Sequence, residues 1–400
     1  MKNNNILSSF INNKLKFFFD NLLRQLSYGS INVQYPNGEN ILYCGTNKGP
    51  EANIRLFNYK LVKDIIIKGN IGFGESYINK NFTTSNLSDL IEVAVLNKNS
   101  FKKFEKGNIF YSFIQQIFHY RNHNSKTNSV DNITHHYDLG NDFYKYWLDE
   151  TMSYSSALYD ERSLELKDAQ VNKYQRLLSL IKPSNKSKIL EIGCGWGGLA
   201  SYLVKKTNAH VTTLTISKKQ YEHVSKMIYE EGLQENIKVE LKDYRDVNTK
   251  FDSIVSVEMF EAVGEKYWPI FFNKLKTNLN NGGNAALQVI TISDELFSDY
   301  KKKPDFIQRH IFPGGMLPSK KIFRNLVLSE NLKLEDEYSF GTSYAKTLKE
   351  WNKRFQYYWP EIAKNGFNDF FKRKWEYYLS YCEGGFKGKS IDISQFLITK

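Results

Sequence analysis

Cysteine is scarce in this sequence, with three in 400 residues, Cys44, Cys194 and Cys382, odd in number and far apart. Such usage argues against a disulfide framework and suits a reducing cytoplasm, and no Cys/His spacing suggests a metal site. Long apolar runs are absent. None approaches the roughly 20 residues needed to cross a bilayer, so no membrane-spanning helix is expected. Asn and Lys interrupt the N-terminal apolar stretch, which departs from a signal-peptide layout. Proline is sparse, at 8, within an ordinary globular composition of 41% hydrophobic and 24% charged residues.

Aromatic residues and positive charge are plentiful. Phe (28) and Tyr (26) dominate an aromatic share of 15%, and aromatic faces can line an apolar pocket or shelter a cation. The formal net charge of +12 implies attraction to nucleic acid or to anionic phospholipid headgroups, or else a solubilising Lys-rich surface. Charge alone does not choose. A length of 400 residues predicts two domains.

Ile6, Phe10, Leu15, Phe18, Phe19, Leu22 and Leu26 recur at near-helical spacing. They predict an amphipathic helix that packs on its own domain or lies on a membrane. Alternation near Ile31–Val33, Ile41–Tyr43 and Ile54–Phe57 predicts a small strand-containing region, and a helix is expected over Leu87–Leu96. A polar stretch follows. Residues 1–119 are therefore read as an accessory domain, 120–131 as a linker and 132–400 as the main domain. Within the last, strands are expected at Lys188–Ile192, His210–Leu214, Ile237–Leu241, Ser253–Val257 and Ala285–Ile292. Helices at Leu199–Lys205, Lys218–Glu231 and Lys266–Leu279 alternate with them. That rhythm predicts an α/β fold with a doubly wound sheet. Helices over Tyr344–Tyr358 and Phe367–Leu379 precede a final strand, Ile391–Ile398.

The string E-I-G-C-G-W-G-G at 191–198 ends a strand and opens a helix. Gly193, Gly195 and Gly197 permit positive φ and close backbone approach to a nucleotide-like ligand. They lie at the carboxyl end of a strand, where open α/β sheets bind ligands. Glu191 can accept hydrogen bonds from the ligand or attract its cationic part. A dinucleotide-binding fingerprint would add an acid roughly 20 positions on, to hold the ribose. That region reads T-L-T-I-S at 213–217, with no carboxylate. The glycine spacing and preceding Glu resemble the first motif of class I, Rossmann-like methyltransferases, which use S-adenosylmethionine.

Several further strings occur together and in order: H-Y-D-L-G-N-D-F-Y at 136–144, Y-S-S-A at 154–157, T-I-S-K-K-Q at 215–220, D-Y-R-D-V at 243–247, V-S-V-E-M-F-E-A-V-G at 255–264, I-F-P-G-G-M-L-P-S at 311–319 and Y-Y-L-S-Y-C-E-G-G-F at 377–386. With the glycine loop they resemble the cyclopropane fatty acid synthase family, which includes the mycolic acid cyclopropane synthases. G-N-I-G-F-G-E-S-Y at 69–77 resembles the accessory domain of its bacterial phospholipid-modifying branch. The resemblance spans nearly the whole chain. It implies transfer of a methylene carbon from S-adenosylmethionine to the cis double bond of unsaturated phospholipid acyl chains. It also implies a homodimer, no nucleic-acid partner, and a cytoplasmic protein held peripherally at the inner face of the membrane.

By position, the resemblance assigns Tyr154, Ser155, Thr215 and Gln220 to the cofactor, with Asp243 and Tyr244 flanking its adenine; an ordinary loop aromatic is the rival reading of Tyr244. Thr215 and Gln220 would replace the missing acid. The family's base is a bicarbonate ion held by a Cys, a Glu, a His, an Ile backbone group and a Tyr. Glu261, Ile290 and Tyr344 match. The family's Tyr-Ser-Cys-Ala and His-Thr-Ile are Tyr-Ser-Ser-Ala and Gln-Val-Ile here, giving Ser156 and Gln288. Both can still donate to an anion, but Gln cannot shuttle a proton. An anion site with altered tuning is expected, against a changed base and a methyl- or methylene-branched product. Glu258 lies three residues before Glu261, and is read as positioning Glu261, binding the cofactor's ammonium group, or lying on the surface. His136 is expected to make a structural hydrogen bond, and His310 to belong to a lid over the acyl pocket.

An isolated alkene is a poor nucleophile, so the expected reaction relies on pressing it against the sulfonium methyl in a dry site. The resulting carbocation calls for aromatic walls and a nearby base. A nucleic-acid methyltransferase would carry an aromatic, Pro-containing tetrapeptide after the fourth strand, where this chain has V-E-M-F-E. A small-molecule N-methyltransferase is the other rival, and the accessory domain disfavours it.

Overall fold

The structure is a computed structural model that describes residues 2–102, 124, 129, 139–161 and 165–400. The expected linker at 120–131 falls almost wholly outside these residues, as do His135, His136 and Tyr137. The chain forms two compact units.

The first unit comprises Met1–Phe118, Lys302–Arg309 and Trp359–Ser390, and the second His119–Lys301, His310–Tyr358 and Ile391–Lys400. The contiguous 132–400 domain expected from the sequence is thus interrupted twice by segments that pack with the N-terminal residues. Close helix packing is the reason. The Asp369–Lys387 helix lies against Leu87–Leu96, and a Cβ added to Gly384 would sit 2.6 Å from Ile91 Cγ2 and 3.0 Å from the Ser88 carbonyl. Gly384 of C-E-G-G-F therefore lets two helices approach closely. Gly74 of G-F-G does similar work, since a Cβ there would meet the Phe306 and Tyr377 rings at 2.6–2.8 Å. The unit's sheet has the order β2-β1-β3-β4, from β1 (Tyr28–Gln34), β2 (Asn40–Cys44), β3 (Asn47–Leu56) and β4 (Phe82–Thr83). An N-terminal helix, Lys2–Leu23, buries Phe19, Leu22 and Leu23 but leaves Phe10 and Phe17 exposed.

The second unit carries a seven-stranded sheet of order β10-β11-β9-β8-β5-β6-β7. Its strands are β5 (Lys188–Ile192), β6 (His210–Thr215), β7 (Ile237–Leu241), β8 (Phe251–Val257), β9 (Leu279–Ile292), β10 (Lys333–Ser339) and β11 (Ile391–Thr399). Strands β5 to β9 run parallel, and β11 is antiparallel to both β9 and β10. The apolar runs of β5 and β8 are buried on both faces. One face packs the helices Leu166–Ile181, Gly198–Thr207 and Lys218–Glu230, through Leu177, Leu203 and Val224. The other packs Trp268–Asn278 and Lys320–Ser329, through Phe271, Phe272 and Phe323. This is the expected doubly wound sheet. Strand β10 was not anticipated: K-L-E-D-E-Y-S is an edge strand, and its charges mask the apolar alternation. The chain leaves β5 toward β6 on one side while β8 lies on the other, so the topological switch point falls between β5 and β8.

Candidate functional site

The glycine turn follows β5 at that switch point. Gly193, Gly195 and Gly197 adopt φ of +96°, +49° and +90°. The Gly193 and Cys194 amides donate to the Leu214 carbonyl at 3.1 and 2.8 Å, pinning the turn to β6. A Cβ on Gly197 would lie 2.3 Å from Met227 Cε, so the turn presents bare backbone at the start of the Gly198–Thr207 helix. Such a cradle fits the phosphate-free nucleoside of a sulfonium donor, whose approach side chains would block.

The other residues expected at the cofactor lie on β5, on β6 and the helix after it, and in the segments at 154–155 and 243–244. Glu191 is buried and accepts from the Thr213 hydroxyl of β6. Burial pushes its carboxyl up to about 8, and the Thr213 bond opposes the shift. Thr215 donates to Gln220 Oε1 at 2.8 Å, so a hydroxyl–amide pair stands where a ribose-binding acid was missed. Asp243 grips Arg245, with Oδ2 2.6 Å from Nη2 and Oδ1 2.8 Å from Nε. Tyr244 packs edge-on against Phe271 at 5.5 Å, and its buried hydroxyl has no hydrogen-bond partner among the described residues. Tyr154 joins Tyr144, Trp147 and Trp351 in an aromatic cluster with ring centroids 5.3–5.5 Å from its own. Ser155 Oγ accepts from Lys173 Nζ at 2.7 Å.

The second half of the site follows β8. Glu258 has φ +50°, a left-handed conformation unusual for a bulky non-glycine residue. Its neighbour Met259 abuts the glycine turn, since a Cβ on Gly193 would lie 3.3 Å from Met259 Cγ. Three donors from separate elements converge on the Glu258 carboxylate. The Ser156 amide reaches Oε1 at 2.8 Å, Gln288 Nε2 of β9 reaches Oε1 at 2.8 Å, and the Tyr344 hydroxyl reaches Oε2 at 2.6 Å. Tyr344 comes from the Gly341–Tyr357 helix, where it shares a buried face with Trp351 two turns on. Burial raises the Glu258 carboxyl above its ordinary range, while Tyr344, Gln288, Ser156 and the Lys173 charge oppose the rise. Lys173 is itself fully buried, and burial depresses its amine to about 8.

Glu261 lies on the short turn Phe260–Ala262. Its Oε1 accepts from the Ile290 amide of β9, and its buried Oε2 has no hydrogen-bond partner among the described residues. Burial, then the neighbouring Glu258 charge, pushes its carboxyl up to about 8. The five residues expected to surround a bicarbonate ion are therefore brought together, but around carboxylates of the chain. Ser156, Gln288 and Tyr344 serve Glu258, and Ile290 serves Glu261. These donors do not fit a bound bicarbonate, because a carboxylate of the chain already takes them. Glu258 is accordingly neither a surface residue nor a prop for Glu261. Sequence reasoning also missed Lys173, Gln395 and Arg176. A polar pair at i and i+3, Gln170 and Lys173, on the buried face of an otherwise amphipathic helix was the signal available. His310 ends the short Phe306–His310 helix.

Comparison with known proteins bears on this arrangement. A family model described as mycolic acid cyclopropane synthetase matches residues 124–396, and one described as a domain of unknown function matches 18–106. A cyclopropane-fatty-acyl-phospholipid synthase of Escherichia coli is 34% identical, covering 88% of this chain and 89% of that protein. A tuberculostearic acid methyltransferase of Mycobacterium tuberculosis is also 34% identical, covering 83% of this chain and 79% of its own length. Among solved structures, a mycolic acid cyclopropane synthase complexed with S-adenosylhomocysteine superimposes with a TM-score of 0.64 at 29% identity, covering 68% of this chain and 98% of that one.

Proposed function

Because the chain belongs to the mycolic acid cyclopropane synthetase family, we propose that it adds a methylene carbon to the cis double bond of unsaturated phospholipid acyl chains, forming cyclopropane fatty acids. Membership makes it an S-adenosylmethionine-dependent methyltransferase of lipid metabolism. The observation that carries the finer reading is the placement of a donor-rich carboxylate cradle and an aromatic cluster beside the glycine turn. When bound, the donor supplies an electrophilic methyl at that turn. The chain's own work is to hold the alkene there, exclude water and accept a proton. Trp147, Tyr154 and Trp351 form an aromatic cluster of the kind that can stabilise a developing carbocation. Glu261, held neutral by burial, adds no competing charge until it is ionised.

A second reading is favoured by the tuberculostearic acid methyltransferase match: the same cation loses its proton elsewhere and yields a branched chain. Peripheral attachment to the membrane is supported by the net charge of +12 and by exposed Phe10 and Phe17 on the N-terminal helix. No described helix is long and apolar enough to cross a bilayer.

Expression in a bacterium lacking its own synthase tests the proposal. Unsaturated phospholipid chains should become one CH2 heavier by mass spectrometry, with NMR separating ring from branch. An unchanged lipid profile alongside methylated amines would reject it.

A further inference from the structure

The mismatch between the expected bicarbonate and the observed cradle has a chemical meaning. A second anion on the Ser156, Gln288 and Tyr344 donors would lie against the Glu258 carboxylate, and two negative charges that close in a desolvated site disfavour each other. The amide of Gln288 is also committed. Its Oε1 accepts from Gln395 Nε2 at 2.9 Å, and Gln395 Oε1 accepts from Arg176 Nη1 at 3.3 Å, so Nε2 is directed at Glu258. The backbone agrees, because Glu258 holds a left-handed φ of +50° that glycine would adopt without strain. A left-handed backbone places one carboxylate next to the turn, and three convergent donors and the buried Lys173 charge favour its ionised form against the rise that burial imposes.

We propose that Glu258 is a catalytic residue, the built-in base that takes the proton from the transferred methyl group in place of a bound bicarbonate. This rests on the acyl-modifying function above. The alkene π pair forms a bond to the sulfonium methyl carbon while the C–S pair leaves with sulfur, and a cation remains on the adjoining acyl carbon. Glu258 removes a proton from the new methyl. The freed C–H pair closes the third side of the ring, and the resulting carboxylic acid returns its proton to solvent. The step needs no oxidant or reductant.

The test uses the full chain, S-adenosylmethionine and vesicles of cis-unsaturated phosphatidylglycerol in buffer stripped of carbon dioxide. Wild-type turnover should be the same with and without added bicarbonate. Glu258→Gln should lose at least about 100-fold in turnover, as expected for removing a general base, while still binding the donor by calorimetry. Glu258→Gly, which relaxes the backbone and empties the cradle, should be inactive in stripped buffer and recover on addition of bicarbonate or formate. Carbon-13 NMR of labelled bicarbonate should show a bound signal for the glycine variant only. A wild-type enzyme that needs bicarbonate or binds it, a Glu258→Gln enzyme of near-normal rate, or loss of donor binding in both variants would overturn the assignment. Wild-type protein that makes no heavier lipid in any buffer would instead reject the acyl-modifying function itself.

Discussion

The two strands that flank the switch point end in sites built from different materials. After β5 stands backbone: three glycines at positive φ, where a Cβ at Gly197 would come within 2.3 Å of the Met227 side-chain end. After β8 stand donors from the segment at 156, from β9 and from the Gly341–Tyr357 helix, all directed at one carboxylate side chain. A backbone site tolerates substitution poorly where φ is positive, because an L side chain is strained there whatever the space. A side-chain site can be rebuilt by coordinated exchange, and Ser156, Gln288 and Glu258 read as one such set. The contrast predicts that changes at the turn weaken donor binding, whereas changes at the cradle spare binding and slow the chemistry.

The largest effect should come from Gly197→Ala. Left-handed strain and overpacking against Met227 together amount to about 3 kcal/mol, so donor affinity should fall by roughly 100-fold. Gly195→Ala has φ +49° but nothing within 4 Å of the new Cβ, and should lose about tenfold through strain alone. Calorimetric titration with S-adenosylhomocysteine separates them. Equal losses would mean that Met227 yields freely and the turn is less crowded than its geometry implies.

At the cradle, Tyr344→Phe removes a 2.6 Å hydrogen bond to a carboxylate. Such bonds are worth about 2 kcal/mol, so turnover should drop by roughly 30-fold with donor affinity unchanged. A matching loss of donor affinity would merge the two sites and erase the contrast.

The same contrast explains what was legible in the sequence. Glycine strings and the β5–β9 alternation report local backbone demands, so the sheet and the turn could be read directly. The convergence on Glu258 could not, because it joins positions 156, 258, 288 and 344 through tertiary packing. The substitutions at 156 and 288 were visible as departures, but their common cause lay at 258. Interruption of the second unit was hidden for a similar reason: glycines 384 and 388 show their purpose only against Ile91 and Val95. Strand β10, with four charged residues in seven, lacks the apolar signal altogether.

Buried acids at both strand ends make a third comparison. Glu191 and Glu261 are each raised from an ordinary 4.5 to about 8. An acid held neutral by the fold contributes stability that is complete below about 4.5 and is lost as pH rises through about 8. Between those values the unfolded chain has released a proton that the folded chain retains. Glu191→Gln and Glu261→Gln should therefore gain on wild type as pH rises across that window, by up to about 1.4 kcal/mol per pH unit. Denaturant midpoints at pH 5, 6 and 7 (roughly even steps within the window) would measure it. In a Glu258→Gln background the Glu261 gain should shrink, because the neighbouring charge is gone, while the Glu191 gain should not. Equal behaviour in both backgrounds would show that burial alone sets the Glu261 shift.

The smallest effect is the most discriminating. Gln395 touches no reacting group; it holds the Gln288 amide so that Nε2 faces Glu258, and Arg176 holds Gln395 in turn. Gln395→Leu keeps the volume and removes the orienting donor. The Gln288 amide is then fixed only by its bonds to Glu258 and to the Ser156 carbonyl, and weaker donation should slow turnover by roughly threefold, under about 1 kcal/mol. A merely structural role would lower stability and leave the pH profile in place. A positioning role makes Glu258 easier to protonate, so the acid limb of the rate profile should move to higher pH while donor affinity stays constant. An unmoved acid limb, whatever the change in stability, would confine the cradle to the three direct donors and end the network at Gln288.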